Sequence, residues 1–322
     1  MSAIAKYARP VFRIRSLPLI HQGKTRDTFQ AQWSKNERYQ SGLWRLMPPR
    51  LIVVTKRLST HNVVHKSLIP YKDEVLTALT IFWLVDVLGK AGIPHHLITY
   101  GSGIYDYLPG KPSDYPANLH YRAVVVKTLD MYLVEFILRK YLAGSLWRLL
   151  RDGKKNPYGR LGRKPVLMMS FRNPLFTPTD KSETDDPKRA SIVRKKNPSV
   201  VAMFRKAYNL AREHTNKVGI EIVDLKGEAG RDERGQPVIA DEFGTPDCCR
   251  FCEKDKIVLG QEPPWLDKEL ARQEAERVWG SGPKIPLEFS PEVVRRLSTT
   301  YLDIFERIVG MPLAQFQSER LN

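Results

Sequence analysis

The sequence predicts a globular chain of mixed β and α structure, and three observations carry that expectation. The stretch 219–251, GIEIVDLKGEAGRDERGQPVIADEFGTPDCCRF, alternates with the strand period of two, turns at Gly230, Gly235 and Pro237, and returns through Val238-Ile239-Ala240. Short apolar runs such as Leu51-Ile52-Val53-Val54 and Val124-Val125-Val126 have the length of buried strands. Longer segments at 74–88, 200–218 and 291–309 place apolar residues at helical spacing. With 322 residues, 42% of them hydrophobic and 10% aromatic, the chain is long enough for one large or two medium domains with real cores.

In order along the chain, an alternating apolar segment opens residues 11–30 and reaches Gln22-Gly23-Lys24-Thr25-Arg26-Asp27-Thr28-Phe29. A glycine followed by alternating Lys and Arg in a strand–turn setting brings backbone N–H groups and two cations onto phosphate, although it is not the G-x-x-x-x-G-K-S/T loop and also describes an ordinary turn. The buried strand 51–54 leads into a polar loop, Lys56 to Asn62. The helix 74–88 is core, and 93–98 returns to strand, where adjacent His95 and His96 face opposite ways and make a poor metal site. Residues 101–118 form a Pro/Gly/Asp-rich loop, 124–127 another strand, and 128–131 a connector. Glu135 and Arg139 interrupt the apolar run 134–139, and a charge in such a segment needs a partner or a ligand. Residues 174–181 form a second phosphate-friendly loop, and the amphipathic helices 200–218 and 291–309 follow. There is no internal repeat and no low-complexity tract.

The formal net charge of +17 implies anionic partners: nucleic acid, a membrane surface, or small polyanions such as nucleotides. Nucleic-acid binders gather their basic residues in a patch or along one helix, whereas here they are spread. The two denser runs, Arg148 to Lys164 and Lys188 to Lys206, lie in Pro/Gly/Asn-punctuated sequence and read as solvated loops. A nucleic-acid-binding module is therefore the weaker reading. No run approaches the roughly 18 apolar residues of a membrane span, so no membrane partner is expected. The basic start, MSAIAKYARPVFRIRS, lacks the apolar region of a secretory signal. Cys248, Cys249 and Cys252 make no disulfide framework, and a cytoplasmic, reducing setting is expected ahead of organelle import. A CCxxC zinc site would lack the second spaced pair of ligands; the thiols are expected to pack near a substrate loop.

The chemistry concentrates in the 219–251 hairpin. On a period of two, Asp224, Lys226 and Glu228 are expected to continue the face begun by Ile220 and Ile222, with Asp241 and Glu242 delivered by the returning strand. Carboxylates from paired strands with a lysine between them suit Mg²⁺ held against phosphate, because the ion takes one or two carboxylates and leaves positions for phosphate oxygens and water. The plain alternative is a solvated hairpin with charged tips.

Together these pieces resemble the SAICAR synthetase (phosphoribosylaminoimidazole-succinocarboxamide synthase) family. The likeness runs collinearly from about Gln22 to the final helix, through GKTRD, the Ser59–Val64 segment, IPYKDEVLTALTIFW, VVKTLDMYLVEFILRKYLAGS, FTPTDKSE, GIEIVDLKGEAG and ADEFGTPDCCRF. It implies an α+β fold related to ATP-grasp enzymes, with a twisted antiparallel sheet and the glycine loop in 1–126 and an α+β portion with metal carboxylates and acceptor site in 127–322. ATP would lie between them. The implied reaction joins the carboxylate of an aminoimidazole ribonucleotide to the amine of L-aspartate, using ATP and Mg²⁺ through an acyl phosphate. Positioning and cancellation of negative charge would do most of the catalysis.

The resemblance also implies roles. Gly23, Lys24 and Arg26 would meet the ATP phosphates, Met131 the adenine edge, and Glu135 the ligand site beside it. Arg139 and Ser145 would hold the phosphate of the ribonucleotide, with Arg250 converging on it and Asp247 near its sugar or imidazole. Glu228 and Asp241 would bind Mg²⁺, assisted by Asp224, with Lys226 facing the transferring phosphoryl group. Lys181 is a further candidate for a phosphate or aspartate contact. The likeness leaves homo-oligomerisation open.

The departures fall in one place. Family members carry a form like T-D-R-x-S-A-F-D after the second strand, where this chain has Thr55-Lys56-Arg57-Leu58-Ser59-Thr60-His61-Asn62. Lys56 reverses a charge, and Asn62 replaces an acceptor-only carboxylate expected near the imidazole with a mixed donor/acceptor amide. Cys248-Cys249 stands where small Ser or Gly residues are usual, and the basic segment 151–165 is longer than in typical bacterial members. The leading expectation is synthesis of SAICAR. The alternative is a paralogue that ligates aspartate or another amino acid to a different carboxylated nucleotide, in a virus-borne or specialised pathway.

Overall fold

The computed structural model describes residue 14 and residues 16–34, 47–159, 161–182 and 186–322. Most of the basic N-terminal segment, including the opening of the apolar run expected at 11–30, and Glu183 of FTPTDKSE lie outside the described residues. In chain order the elements are β1 (Leu19–Gln22), β2 (Arg26–Gln30), β3 (Arg50–Val54), β4 (Arg57–Thr60), β5 (Val63–Leu68), α1 (Lys72–Ile81), β6 (Leu97–Tyr100), β7 (Ala123–Val126), β8 (Asp130–Met131), β9 (Val134–Tyr141), α2 (Gly144–Arg151), β10 (Ser170–Phe176), β11 (Thr179–Asp180), α3 (Ala190–Lys196), α4 (Pro198–Lys217), β12 (Ile220–Arg231), β13 (Pro237–Ala240), β14 (Cys249–Glu253), α5 (Glu269–Trp279), α6 (Pro291–Val309) and α7 (Leu313–Arg320). No helix among them is long and apolar enough to cross a membrane.

Two antiparallel sheets carry the architecture. The first has the order β1-β2-β3-β7-β6. It rests on a cluster that includes Phe29, Leu51, Val53, Ile104, Tyr107 and Val125. The second has the spine β10-β9-β12-β13, with β11 on β9, and β8 and β14 on β12. Helix α4 covers one face of it. Phe204 of α4 stacks on Phe136 of β9 with ring centroids 4.9 Å apart, and Gly227 exists for that ring: a Cβ there would lie 2.3 Å from Phe204 Cε1. The largest core cluster contains Val54, Leu58 and Val126 as well as Phe204, Ile222 and Tyr301, so the portions 1–126 and 127–322 share it.

Several expectations change. The loop expected at 56–62 is mostly strand: β4 and β5 form a hairpin whose tight turn is His61-Asn62, with φ of 48° and 66°, a pair of left-handed residues that matches hairpin twist without the usual glycine. The strand expected at 93–98 begins only at Leu97, because residues 94–96 hydrogen-bond instead to Ile239 of β13. Of the two basic runs read as solvated loops, the described residues of 148–164 are loop beyond the end of α2 at Arg151, whereas 188–206 is largely helical. Asn197-Pro198 separates α3 from α4, and Val193, Val200, Val201 and Phe204 are buried while the lysines and arginines face out. The helix expected at 74–88 is present as α1 and continues in a π-helical stretch, Phe82–Gly89.

The most consequential change is in β12. Against β14 the register runs Ile222↔Phe251 and then Asp224↔Arg250, so Val223 is the extra residue of a bulge. A one-residue slip exchanges the faces of a strand. The core side of β12 therefore passes from Ile220 and Ile222 to Leu225 and Ala229. Asp224, Lys226 and Glu228 do not continue the face of Ile220 and Ile222; they fall on the opposite side, in the cleft.

Candidate functional site

The glycine loop is the β1–β2 turn. Gly23 N–H donates to the Arg26 carbonyl at 2.7 Å, and a Cβ on Gly23 would lie 2.8 Å from that oxygen. Buried Arg57 of β4 holds the loop from beneath. Its Nη2 donates to the Gly23 carbonyl (2.9 Å), its Nε to the Lys24 carbonyl (3.1 Å), and it pairs with buried Asp27, Nη2 to Oδ1 at 2.6 Å. The guanidinium thus serves the backbone through Nε and Nη2 and its counter-charge through Nη1 and Nη2. Lys24 Nζ donates to Asn62 Oδ1 at 2.5 Å, joining the loop to the turn of the β4–β5 hairpin.

Across the cleft, the pairing Glu228↔Ala240 brings Asp241, the next residue, alongside Glu228. Asp241 takes a left-handed φ of 57° at the end of β13. Burial and the neighbouring Asp241 charge raise the pKa of Glu228, as expected when two carboxylates are held together. Cations from other elements answer them: Lys181 pairs with Glu228, and Arg26 reaches Asp241 at 3.4 Å and Glu242 at 2.5 Å. Lys226 pairs with Glu135 Oε1 at 2.5 Å, while Thr179 Oγ1 donates to Glu135 Oε2 at 2.7 Å. Two hard carboxylate oxygens facing open space among cations suit Mg²⁺ shared with phosphate. Among the described residues there is no third acidic, His or Cys ligand to build a closed metal cage.

Two adjoining cavities meet at this pair. One, of about 810 Å³, runs past Gly23 and Lys181 to an apolar wall of Ile52, Val126, Leu129 and Met131. The other, of about 660 Å³, is lined by Arg139, Ser145, Arg148, Arg250, Lys268 and Arg272, together with Asp224 and Asp247. Lys24, Arg26, Asn62, Glu135, Lys226, Glu228 and Asp241 line both.

In the second cavity, buried Arg139 donates to Asp224 Oδ2 (2.5 Å), Thr177 Oγ1 (2.9 Å) and Ser145 Oγ (3.3 Å). Arg250 approaches the same Asp224, with Nη1 2.9 Å from Oδ2. Its guanidinium lies over Gly144, where a Cβ would sit 2.3 Å from Cζ. Both oxygens of Asp224, expected to assist at the metal, are engaged by these two arginines, four residues along β12 from Glu228, a strand distance of roughly 13 Å. One carboxylate facing two guanidiniums leaves an excess of positive charge, and burial, reinforced by Arg250, pushes the pKa of Arg139 down despite Asp224. Asp247 sits at the wall with Oδ2 on Lys72 (2.8 Å) and Oδ1 accepting from Tyr301 (2.6 Å). Burial opposes its charge, but Lys268 and Lys72 hold it well below the usual carboxylate range.

Sequence reasoning missed Arg57, Arg148, Lys268 and Arg272. Lys268 and Arg272 share one face at the start of α5, and a D-K-x-x-x-R run was the available signal. Burial pushes the Lys268 pKa down to about 8 against the pull of Asp247. Lys56 lines neither cavity; burial raises the pKa of Asp73, and the charges of Lys56 and of Arg122, 3.7 Å away, oppose that shift.

The model of the SAICAR synthetase family matches residues 19–284. The chain belongs to the SAICAR synthetase family. A phosphoribosylaminoimidazole-succinocarboxamide synthase of Methylobacillus flagellatus is 32% identical over 308 residues, covering 93% of this chain and 97% of the relative. One from Halorhodospira halophila is 33% identical over 300 residues, covering 89% and 93%. Among solved structures, the SAICAR synthase of Saccharomyces cerevisiae complexed with SAICAR superposes with a TM-score of 0.75 at 26% identity, covering 93% of this chain and 97% of that one. A SAICAR synthetase in complex with ADP shares the fold, with a TM-score of 0.62 at 19% identity. The chain is thus an enzyme of an ATP-dependent ligase family that makes SAICAR in purine biosynthesis. None of these relatives is named for a different acceptor.

Proposed function

We propose that this chain itself joins the carboxylate of the aminoimidazole ribonucleotide to the amine of L-aspartate, with ATP converting that carboxylate to an acyl phosphate. The observation that carries the reading is the seam. Glu228, Asp241, Lys24, Arg26 and Lys226 line both an apolar-walled cavity and an arginine-lined one, so a phosphoryl group donated from one side meets a carboxylate held on the other.

In this reading the adenine lies against Ile52, Val126, Leu129 and Met131, with the triphosphate under the glycine loop and near Lys181. Arg139, Ser145 and Arg250 take the phosphate of the ribonucleotide, since buried guanidiniums bind phosphate by paired, directional bonds. Glu228 and Asp241 would hold Mg²⁺, which supplies charge neutralisation at the transferring phosphoryl group. Lys226, 43% exposed at the cleft and close to Glu135, is placed to stabilise charge on the departing phosphoryl oxygens. The L-aspartate carboxylates have Arg148, Lys268 and Arg272 within the same cavity. All three substrates are anions, which accounts for the basic lining and for the net charge.

The test is ADP release with carboxyaminoimidazole ribonucleotide, L-aspartate, ATP and Mg²⁺, with the product mass measured. A product equal to the acid plus aspartate less water is expected. ADP release that needs another carboxylated nucleotide would replace the ribonucleotide as acceptor.

A further inference from the structure

Cys248 and Cys249 are adjacent in sequence, and their side chains turn to the same place: the two Sγ atoms are 3.8 Å apart. Both residues line the arginine-rich cavity, flanked there by Asp247 and Arg250. The fold enforces this pairing. Residues 245–248 form a tight turn in which Cys248 and Cys249 N–H both donate to the Thr245 carbonyl, at 3.2 and 2.9 Å. Thr245 N–H in turn points at Cys248 Sγ, at 3.4 Å. The third cysteine is excluded. Cys252 lies on β14 three residues beyond Cys249 and packs on the other side, with Ala143, Met168 and Val223.

A disulfide is poorly matched to this pair. Neighbouring Cα atoms across a trans peptide are about 3.8 Å apart, below the roughly 4.4–6.8 Å that disulfides span. A larger thiophilic atom placed between the sulfurs needs no such closure, and soft thiol sulfur selects soft partners. We propose that Cys248 and Cys249 form a two-sulfur chelating site, opening into the cavity, for trivalent arsenic in monosubstituted arsenoxides. In the binding step two As–S bonds form and the As=O bond breaks. The two thiol protons leave with the oxygen as water, and arsenic stays trivalent.

The experiment uses the full-length native chain, one equivalent of phenylarsine oxide and a tenfold excess of a monothiol. Because the second As–S bond closes intramolecularly, the pair should outcompete single thiols by about a hundredfold. One adduct is expected by intact mass, mapped by fragmentation to residues 248–249 and removed by 2,3-dimercaptopropanol. Cys248→Ser and Cys249→Ser should each lose it, and Cys252→Ser should keep it. If either of the first two variants fails to fold, the fragment map of the unsubstituted chain decides. The site is overturned if the native chain stays unlabelled while the urea-unfolded chain is labelled, or if the adduct maps to Cys252. The readout uses no turnover, so it stands or falls separately from the acceptor assignment.

Discussion

Arg57 and Asp27 form a buried pair across two hairpins, Nη2 to Oδ1 at 2.6 Å, and the same guanidinium binds the carbonyls of Gly23 and Lys24. The loop expected to receive phosphate is therefore shaped by a charge pair lying beneath it.

Truncating Arg57 should unfold part of that arrangement. Arg57→Ala leaves Asp27 buried without its partner and should cost about 3–5 kcal/mol in urea unfolding. Arg57→Lys keeps a charge but loses the planar fork, so its main effect should be a raised KM for ATP. Unchanged ATP saturation in the lysine variant would show that the loop holds its shape without the fork.

Asp241→Asn removes one of the two carboxylates at the seam and should lower turnover by at least about a hundredfold while leaving the thermal midpoint near that of the unsubstituted chain. Chelation of divalent cations should stop ADP release in the unsubstituted chain, and added Mg²⁺ should restore it. Near-normal turnover in the variant removes Asp241 from the metal site.

Gly227→Ala drives a methyl group into the Phe204 ring and should destabilise by about 1–3 kcal/mol. Adding Phe204→Leu to it should cost less than the sum of the two single changes, with a coupling of about 1 kcal/mol. Strict additivity in denaturant unfolding would mean that the glycine serves something other than ring clearance.

Lys268 gives a pH dependence with a definite sign. Burial puts its pKa at about 8 in the folded chain, against 10.5 as the ordinary value. Raising the pH through 8 removes a positive charge from an anion-binding wall, so kcat/KM should fall there by about tenfold per pH unit. Stability should move the other way between pH 8 and 10.5, because the unfolded chain still holds the proton that the folded chain has shed. Lys268→Arg should abolish the fall in kcat/KM; a fall that survives it belongs to another group.

Strand 51–54, the helices at 200–218 and 291–309 and the 219–251 hairpin were legible because apolar period and turn residues coincide there. The rest was hidden for physical reasons. No residue type marks Val223 as a bulge, since the slip is decided by pairing with β14. The β4–β5 turn uses His61-Asn62 rather than a glycine. Helix α5 is rich in Glu and Arg, with only Ala271, Ala275 and Trp279 as buried apolar positions, so it carried too little apolar period to reveal Lys268 and Arg272 at its start. That Glu228 and Asp241 lie side by side could be read from the hairpin that pairs β12 with β13, although alternation put Glu228 on the core face; the diversion of Asp224 to two arginines needed three strands to be placed together.

The bulge at Val223 also makes register a catalytic variable. Were Val223 drawn into the ladder as an ordinary strand residue, the chemistry of every side chain in the cleft would be untouched, yet two carboxylates and an ammonium would rotate toward Phe204 and leucine and alanine would come out into the cleft. Along β12 a slipped pairing would do more harm than a wrong residue.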